Sequence, residues 1–489
     1  MWTQRDQLQA YQFLRRRLVS AVQVGDANHP VSPSRRLVIG CALGAAAALL
    51  VTAGFGVYGL LRPGANTDWR KPGQVVIEKE TGAAYVMGAD GLLHPMLNYT
   101  SARLLAGGDG TATKQVSRKS MAKAPRGVPL GIPGAPASLP AKDLLTTGPF
   151  TVCVQPPQGR PVGSPPVTTA LVGVAPVGTP VDPATAVVLA DSGGARYVAV
   201  AGRRHRIADQ GTAMALGYDS TRPLPVSAAW LSAVPAGPDL RLITVPEVGE
   251  AGPRVGDRAT RVGQVLAATT VGAETRYYLV RADGIVSISQ TEAALVLGNP
   301  ANRAAYAGGP AREVQVSAVD MTEVGAASAA SGASGASGAA PDGGSTGYPP
   351  RLAPPVVVTG ERVATCATLD GDRATIRLAG SIGVPTGAQP VAAGGGTQAD
   401  AVYVPAGRAA VLRDQPAPQA GLGTVYLLTD QGVRHPVPTG EALKALGYGS
   451  VRPTPVPTSV LALFPTGPVL DQASAQRTAP VMPAMEAGR

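Results

Sequence analysis

Aromatic residues are scarce in this sequence: its 489 residues include 4 Phe and 3 Trp, against 61 Gly and 46 Pro. Few large aromatic side chains and many turn residues favour short strands, tight turns and several small cores over one large core. The length alone is sufficient for two or more domains. The composition therefore predicts a chain built from several small units.

Patterns that identify common enzymes are missing as well. The sequence holds no G-x-x-x-x-G-K-[ST] phosphate loop, and the nearest approach, residues 108–114, lacks the required Gly-Lys-Ser/Thr end. It holds no H-E-x-x-H, G-x-S-x-G or C-x-x-C pattern, and its carboxylates show no clustered apolar setting typical of a glycosidase. These absences favour a protein with neither enzymatic activity nor cofactor.

Histidines outside the N-terminal region are the remaining candidate metal ligands. They are His94, His205 and His435, each in one copy of a pattern that recurs four times along the chain, with Ser287 near the equivalent place in the third copy. Each histidine opens a turn at a strand end, often before proline, in a different segment. We therefore interpret them as structural and expect no metal site.

A long uncharged stretch is present at residues 37–61, LVIGCALGAAAALLVTAGFGVYGLL. At ~1.5 Å per residue a helix of this length reaches ~37 Å, enough to cross a ~30 Å hydrocarbon core with some tilt. The alternative is a cleaved signal peptide, whose apolar core is usually ~7–15 residues behind a short basic region. Because 36 residues precede this longer stretch, we expect one uncleaved membrane span.

Charges beside the stretch predict its orientation. Residues 1–36 carry six arginines and two aspartates, a net of +4, while the far side begins with Arg62, Arg70 and Lys71. The positive-inside rule then places the N-terminus in the cytoplasm and the rest of the chain on the other side of the membrane. The net charge of +10 is typical of a solvated surface near anionic lipids or wall polymers. Nucleic-acid binding is not expected, since no basic-aromatic motif appears.

The N-terminal region predicts an amphipathic helix. Thr3 and Asp6 form a T-x-x-D capping pattern, and residues 25–34 end the helix before the membrane. Apolar residues follow at three- and four-residue steps, and arginines flank them: Leu8, Tyr11, Leu14, Leu18 and Val22, with Arg15, Arg16 and Arg17. Two interpretations stay open, a helix lying on anionic lipid and a docking helix for a cytoplasmic partner.

One pattern recurs four times beyond the span, at residues 83–107, 195–240, 275–301 and 424–470. The second and fourth copies share one register 230 residues apart, which pairs His205 with His435 and Tyr218 with Tyr448. Each copy predicts a strand, a tight turn at glycine, a second strand and a short helix. Because one hairpin and helix bury little apolar surface, we expect the copies to pack on a shared centre.

The segments between the copies supply that centre. Residues 147–157 and 165–174 predict two strands, and residues 361–380 predict a hairpin. Cys153 and Cys366 lie inside these strands, outside the membrane, where oxidation is permitted. We expect them to pair, two free buried thiols being the alternative. The centre is then one β domain made from two distant segments.

The predicted fold class is a single-pass membrane protein with an α+β, β-rich region outside the membrane, in which four small hairpin-helix repeat domains surround a central β core domain. Residues 325–347 are low in complexity and lack the apolar groups that would offset the entropy of ordering. The predicted segments are 1–36, a cytoplasmic amphipathic helix and arm; 37–61, a transmembrane helix; 62–118, repeat 1; 119–174, the first segment of the core domain; 175–245, repeat 2; 246–322, repeat 3; 323–352, a flexible low-complexity loop; 353–398, the second segment of the core domain; 399–471, repeat 4; and 472–489, a loose tail.

Several motifs together resemble a known family. They are Thr3…Gln7…AYQFLRRRL, the single span, TDWRKPGQVVIEKETGAAYV…LHPMLNYTSARLL at 67–105, ADAVYVPAGRAAVLR at 399–413, and GYGSVRPTPVPTSVLALFPTGPVLD at 447–471. They resemble EccB, a membrane component of type VII (ESX) secretion systems, over nearly the whole chain. The resemblance implies a cytoplasmic N-terminal helix, one span, and four periplasmic repeat domains around a core domain closed by a disulfide.

The resemblance also implies partners and a function. The partners would be EccC-, EccD- and EccE-like components, a MycP-like protease, and further copies of the chain within the complex. The chain would be a structural subunit of the inner-membrane complex, helping to assemble and stabilise the channel that exports small WxG-type proteins. Two alternatives are a cell-wall (peptidoglycan)-binding protein, since the repeats resemble a fold of phage wall-binding proteins, and a nucleotide hydrolase, an activity attached to the family.

Overall fold

The fold is described from a computed structural model. It describes residues 3–27, 34–61, 68–109, 112–157, 159, 161, 164–269, 272, 274–321, 347–360, 362–383, 385–391, 396–417, 420–421 and 423–478. Most of the predicted low-complexity loop, up to residue 346, and the last residues of the predicted tail, from residue 479, lie outside the described residues.

Short helices and strands make up most of the described chain beyond two long N-terminal helices. The helices used below are α1 (Gln4–Val24), α2 (Ser34–Leu61), α3 (Tyr99–Ala106), α4 (Arg118–Met121), α5 (Gln210–Ala215), α6 (Ala228–Ala233), α7 (Gln290–Leu297), α8 (Gly440–Ala445), α9 (Thr458–Leu461) and α10 (Gln472–Ala475). The strands are β1 (Val75–Glu78), β2 (Ala84–Met87), β3 (Leu93–Pro95), β4 (Thr113–Val116), β5 (Phe150–Gln155), β6 (Val167–Val172), β7 (Thr179–Pro180), β8 (Val187–Ala190), β9 (Arg196–Val200), β10 (Arg203–Ile207), β11 (Leu224–Pro225), β12 (Val265–Ala268), β13 (Arg276–Arg281), β14 (Gly284–Ile288), β15 (Val314–Val316), β16 (Ala364–Asp370), β17 (Arg373–Ala379), β18 (Gln389–Pro390), β19 (Ala401–Tyr403), β20 (Ala409–Asp414), β21 (Val425–Thr429), β22 (Arg434–Val437) and β23 (Thr454–Val456).

The two long helices begin the described chain. At the start of α1 the backbone N–H and the hydroxyl of Thr3 both donate to Asp6 Oδ2, at 3.0 and 2.7 Å. The helix ends at Gly25, whose φ of 73° glycine adopts readily. Within α2, residues Leu37–Tyr58 are long and apolar enough to cross a membrane, with a mean hydropathy of 2.2. Helix α2 begins at Ser34, three residues before the predicted 37–61 span.

The described residues form five sheets, and four of these have four strands and share one strand order, third-second-first-fourth. They are named here sheet 1 (β1–β4), sheet 2 (β8–β11), sheet 3 (β12–β15) and sheet 4 (β20–β23). In each, three antiparallel strands are followed by a fourth strand parallel to the first. A strand parallel to the first can be reached only through a crossover connection. In each sheet the crossover from the third strand to the fourth contains a short helix: α3, α5, α7 or α8.

The fifth, central sheet has seven strands in the order β18-β19-β6-β5-β16-β17-β7. Its strands come from two stretches of the sequence, 150–180 and 364–403, and sheets 2 and 3 lie between them in the sequence. Strands β5 and β16 are direct antiparallel neighbours and join the two stretches.

One buried hydrophobic cluster joins the central sheet to sheets 2 and 4. Val152 of β5 lies in this cluster with Trp230 of α6 and Leu461 of α9. The hairpin of sheet 2 also touches the central sheet, because the Ala374 N–H donates to the Gly202 carbonyl at 2.9 Å. Sheets 2 and 4 therefore pack directly on the central sheet.

Sheets 1 and 3 lie farther out, each against one of these two. Arg103 of α3 donates from Nε to the Ala445 carbonyl of α8 at 3.1 Å, which joins sheet 1 to sheet 4. Leu295 of α7 shares a buried cluster with Ala213 of α5 and Leu216, which joins sheet 3 to sheet 2. The order through space is sheet 3, sheet 2, central sheet, sheet 4, sheet 1.

Some predicted boundaries were wrong. Strands β7 and β19 pair within the central sheet, although residues 175–245 and 399–471 were assigned to repeats. Both strands have only two or three residues, too few to give a periodic signal. Residues 472–478 are not a loose tail: Ser474 N–H donates to Asp471 Oδ1 at 2.6 Å to begin α10, whose Ala475 is fully buried.

The predicted repeat pattern was also incomplete. The predicted pattern contained the second strand, the third strand and the helix of each sheet. It did not contain the first strand of any sheet, and it did not predict the fourth strand as a strand. The fourth strand of sheet 2, β11, is only Leu224–Pro225, and its proline disfavours a strand prediction.

Candidate assembly site

The apolar side of α1 is uncovered in the described chain. Leu8, Tyr11, Leu14 and Leu18 are each between 60% and 67% exposed. At 3.6 residues per turn these four side chains fall on about one third of the helix circumference. Leucines left in water at this level of exposure favour burial against a lipid surface or another protein.

The arginines of α1 are distributed differently from the predicted flanks. Three consecutive residues of a helix are spread over about 200°, so Arg15 falls within the apolar stripe while Arg16 and Arg17 lie off it. Phe13, which the stripe did not include, is 61% exposed and lies under the Arg17 guanidinium, 5.7 Å from its ring centre. Phe13 was missed because it breaks the spacing of the stripe.

Cys153 and Cys366 form a disulfide within the central sheet. The two residues are direct partners across β5 and β16, with their Cα atoms 4.0 Å apart, and both are fully buried. The bond joins residues 213 positions apart in the sequence. It therefore fixes together the two chain segments from which the central sheet is made.

The three histidines of the repeated pattern lie at one place in sheets 1, 2 and 4. His94, His205 and His435 are buried on the third strand of their sheets, and Nδ1 lies 2.9, 2.9 and 3.3 Å from the carbonyl oxygens of Val128, Pro238 and Pro468. Each ring covers a glycine of the same loop, Gly127, Gly237 or Gly467. The ring thus holds the loop against the sheet.

The surroundings of these histidines differ in charge. His94 Nε2 lies 3.0 Å from Asp90 Oδ2, and Asp90 has a lowered pKa because of its hydrogen bonds to the Leu92 N–H and to His94. Burial lowers the pKa of His205 and His435. In sheet 3 the register places Ser287 opposite Tyr278, as His205 is placed opposite Val198 in sheet 2. Among the described residues no group of three or more His, Cys, Asp or Glu side chains is placed to hold a metal ion.

Known proteins match this chain over nearly all of its length. A family model described as "Type VII secretion system ESX-1, transport TM domain B" (T7SS_ESX1_EccB) matches residues 1–484. The protein named ESX-3 secretion system ATPase EccB3 of Mycolicibacterium smegmatis is 29% identical over 506 residues, which cover 96% of this chain and 90% of that protein. ESX-5 secretion system ATPase EccB5 of Mycobacterium marinum is 28% identical over 500 residues, covering 96% and 92%.

Two solved structures have the same fold. The first, described as an intact ESX-5 inner membrane complex, contains a chain with a TM-score of 0.64 and 24% identity, and the match covers 100% of this chain and 98% of that one. The second, described as an EccB3 dimer from the ESX-3 core complex, gives a TM-score of 0.62 at 26% identity and covers 83% and 100%.

Proposed function

The chain belongs to the EccB family of type VII secretion proteins, and from this we propose that it is a structural subunit of an ESX inner-membrane complex. The family match over residues 1–484 carries the proposal, because it includes both N-terminal helices and all five sheets. In this role the β-rich region helps to assemble and stabilise the channel for small WxG-type proteins. The chain is then single-pass, with a cytoplasmic N-terminus and its sheets in the periplasm.

The β-rich region serves this role as four repeat domains arranged around one core domain. The common strand order of sheets 1 to 4 and the burial of α6 and α9 against the central sheet support that division. A row of small units linked by buried contacts gives a long surface on which other proteins can bind. Partners are EccC-, EccD- and EccE-like components, a MycP-like protease and a second copy of the chain. A relative whose structure is described as a dimer supports the last of these.

Helix α1 is the proposed docking element on the cytoplasmic side. Its exposed leucines and Tyr11 would be buried against a neighbouring subunit, while Arg16 and Arg17 pair with carboxylates or phosphates at the rim. The competing role is a helix that only lies on lipid. In either role α2 keeps the chain in the membrane. Changing the apolar residues of α1 should disrupt the complex only if α1 docks on a subunit.

The test is the double variant Leu14→Asp/Leu18→Asp in the full chain. Losing two buried leucines would cost docking ~3 kcal/mol or more, which is about 100-fold in affinity. We expect the variant to remain in the membrane at normal levels, but to recover little of the EccC-, EccD- and EccE-like components on affinity purification and to stop secretion.

The matched control is Gln9→Asp/Gln12→Asp, which adds the same charge and the same residue type to α1 outside the apolar stripe. It should leave complex recovery and secretion unchanged. If the leucine variant also behaves normally, the docking role is wrong and α1 is a membrane-surface helix.

Nucleotide hydrolysis is the second candidate, because the relatives from M. smegmatis and M. marinum are named ATPases. The sequence offers no phosphate loop from which to nominate a catalytic residue. Turnover by the purified chain that a single substitution abolishes, without loss of the fold, would establish this activity. Turnover that disappears on further purification would exclude it.

A further inference from the structure

Lysine is concentrated in and around sheet 1. The chain has seven lysines, and five of them lie between residues 71 and 123, all exposed; the other two are Lys142 and Lys444. Elsewhere the chain uses arginine for its positive charge. Lys71 forms an ion pair with Asp68 at 3.0 Å. The four that remain are called the lysine edge: Lys79, Lys114, Lys119 and Lys123.

The acidic groups near the lysine edge have other partners. Among the residues that the structure describes, no carboxylate lies within ion-pair distance of these four lysines. Four nearby acids are already engaged: Asp68 with Lys71 at 3.0 Å, Glu78 with Arg118 Nε at 2.5 Å, Glu80 with the Arg118 N–H at 2.9 Å, and Asp90 with His94 at 3.0 Å. Residues 68–126 carry nine lysines and arginines against five aspartates and glutamates, so this end of the chain has a net positive charge.

The lysines occupy one border of sheet 1. Lys114 lies on β4, the outermost strand, and Lys119 and Lys123 lie on and just after α4, which follows β4 directly. Lys79 follows β1, and its backbone N–H donates to the Val116 carbonyl at the end of β4, at 3.0 Å. A lone lysine on an edge strand can serve to block unwanted strand pairing, but this does not explain the three lysines that lie off the strand.

The same border is covered in sheets 2 and 4. In sheets 2 and 4 the helices at this place are α6 and α9, which contain no charged residue and place Trp230 and Leu461 against the central sheet. In sheet 1 the corresponding helix α4 carries Arg118 and Lys119, both exposed. The border that is buried against the central sheet in sheets 2 and 4 is therefore charged and exposed to solvent in sheet 1.

Sheet 1 is also the sheet nearest to the membrane helix along the chain. The seven residue steps from Leu61, the last residue of α2, to Asp68 span at most about 25 Å. Lys114 lies close enough to Asp68 to contribute to its lowered pKa, after the larger effect of Lys71. The positive border thus lies beside the point where the chain arrives from the membrane.

We propose that the lysine edge is a membrane-surface contact that binds the anionic phosphate headgroups of the leaflet from which α2 emerges. Exposed ammonium groups on flexible stems suit a fluid headgroup layer, since they need no fixed partner geometry. The contact would orient sheet 1, and with it the row of sheets, relative to the membrane. It requires no other component of a complex and does not depend on which side of the membrane holds the N-terminus.

The experiment uses the purified full chain in lipid nanodiscs of phosphatidylcholine alone or of phosphatidylcholine with phosphatidylglycerol. Acetylation of each lysine by an amine reagent is followed by mass spectrometry. We expect the four lysines of the lysine edge to react several-fold more slowly in the anionic discs, and the difference to disappear in high salt. Lys142 and Lys444 are internal controls that should react equally in both discs.

Variants separate charge from fold. Lys114→Glu/Lys119→Glu should abolish the protection of Lys79 and Lys123 in anionic discs, whereas Lys114→Arg/Lys119→Arg should retain it. Equal reactivity in the two discs overturns the proposal, and so does protection that appears only when other subunits are added, which would assign the surface to an acidic protein. Complex recovery plays no role in this readout, so its outcome is independent of the docking test on α1.

Discussion

At the scale of single residues, matched histidines and tyrosines hold loops and distant segments against sheets 2 and 4 by single hydrogen bonds. His205 and His435 were paired by register, and both hold a Pro-rich loop through Nδ1. Tyr218 and Tyr448 were paired in the same way, and each hydroxyl donates to a carbonyl, of Ala353 and Pro140, at 2.8 Å. Which carbonyl would accept could not be predicted, since the acceptors lie more than 100 residues away.

The buried histidines predict a loss of stability in mild acid. Burial lowers the pKa of His205 and His435 in the folded chain, so as the pH falls the unfolded chain takes up protons first. Their contribution is fully present above the ordinary histidine pKa of about 6.5 and is lost as the pH falls from there toward the folded-state pKa. The loss is at most about 1.4 kcal/mol per histidine for each pH unit in that window.

We expect the melting temperature of the chain in detergent to fall between about pH 7.5 and 5.5, and the fall to be smaller for His205→Asn/His435→Asn. Asparagine can still donate to the loop carbonyl from the position of Nδ1, so the loop contact is kept. An unchanged fall in the double variant would contradict the argument.

At the scale of elements, long patterns were predicted and short ones were not. The stretch of 25 uncharged residues at 37–61 corresponds to α2, and the three- and four-residue spacing after Asp6 corresponds to α1. Strands of two or three residues, such as β7, β11 and β18, carry no period of their own. They form because a longer neighbouring strand offers unpaired backbone groups. Their own residues therefore do not predict them.

The contact of the β21–β22 hairpin with strand β19 of the central sheet gives a prediction at the scale of elements. Gly432, at the turn between β21 and β22, has a φ of 72°, and an added Cβ would lie 2.8 Å from Val402 Cβ of the central sheet. Gly407 also has a φ of 72°, but an added Cβ there would meet nothing within 4 Å. Both alanine variants carry the same backbone strain, about 1 kcal/mol, and only Gly432→Ala adds a clash of about 1–3 kcal/mol.

Gly432→Ala should therefore lower the melting temperature of the full chain clearly more than Gly407→Ala does. The measurement is thermal unfolding of both variants beside the wild type under one detergent condition. Equal losses would mean that the β21–β22 hairpin does not dock closely on β19.

At the scale of the whole molecule, a central sheet made from two distant segments was inferred from the sequence, because 147–174 and 361–380 both have strand patterns and each holds one cysteine. The spatial row of sheets was not inferred. The order of the sheets depends on the contacts between neighbouring sheets. Small apolar residues such as Ala213 and Ala445 make those contacts, and no sequence motif distinguishes these residues from other alanines.

Topology across the membrane is the prediction at this scale. A reporter active only in the cytoplasm should be silent when fused after Arg70 and active when fused after Gly25. The physical reason is the net charge of +4 on residues 1–36, which favours retention of that side in the cytoplasm. Activity after Arg70 would reverse the orientation of the chain.

The split origin of the central sheet imposes an order of events on the growing chain. Strand β5 is synthesised about 210 residues before β16, its neighbour across the Cys153–Cys366 pair. At about 5–20 residues per second the ribosome needs roughly 10 to 40 s for that distance. During this interval one border of β5, with its apolar sequence FTVCVQ, has no partner strand and the Cys153 thiol has no partner. Sheets 2 and 3 are made within the same interval, so all their strands have been synthesised before β16 completes the central sheet on which sheet 2 packs.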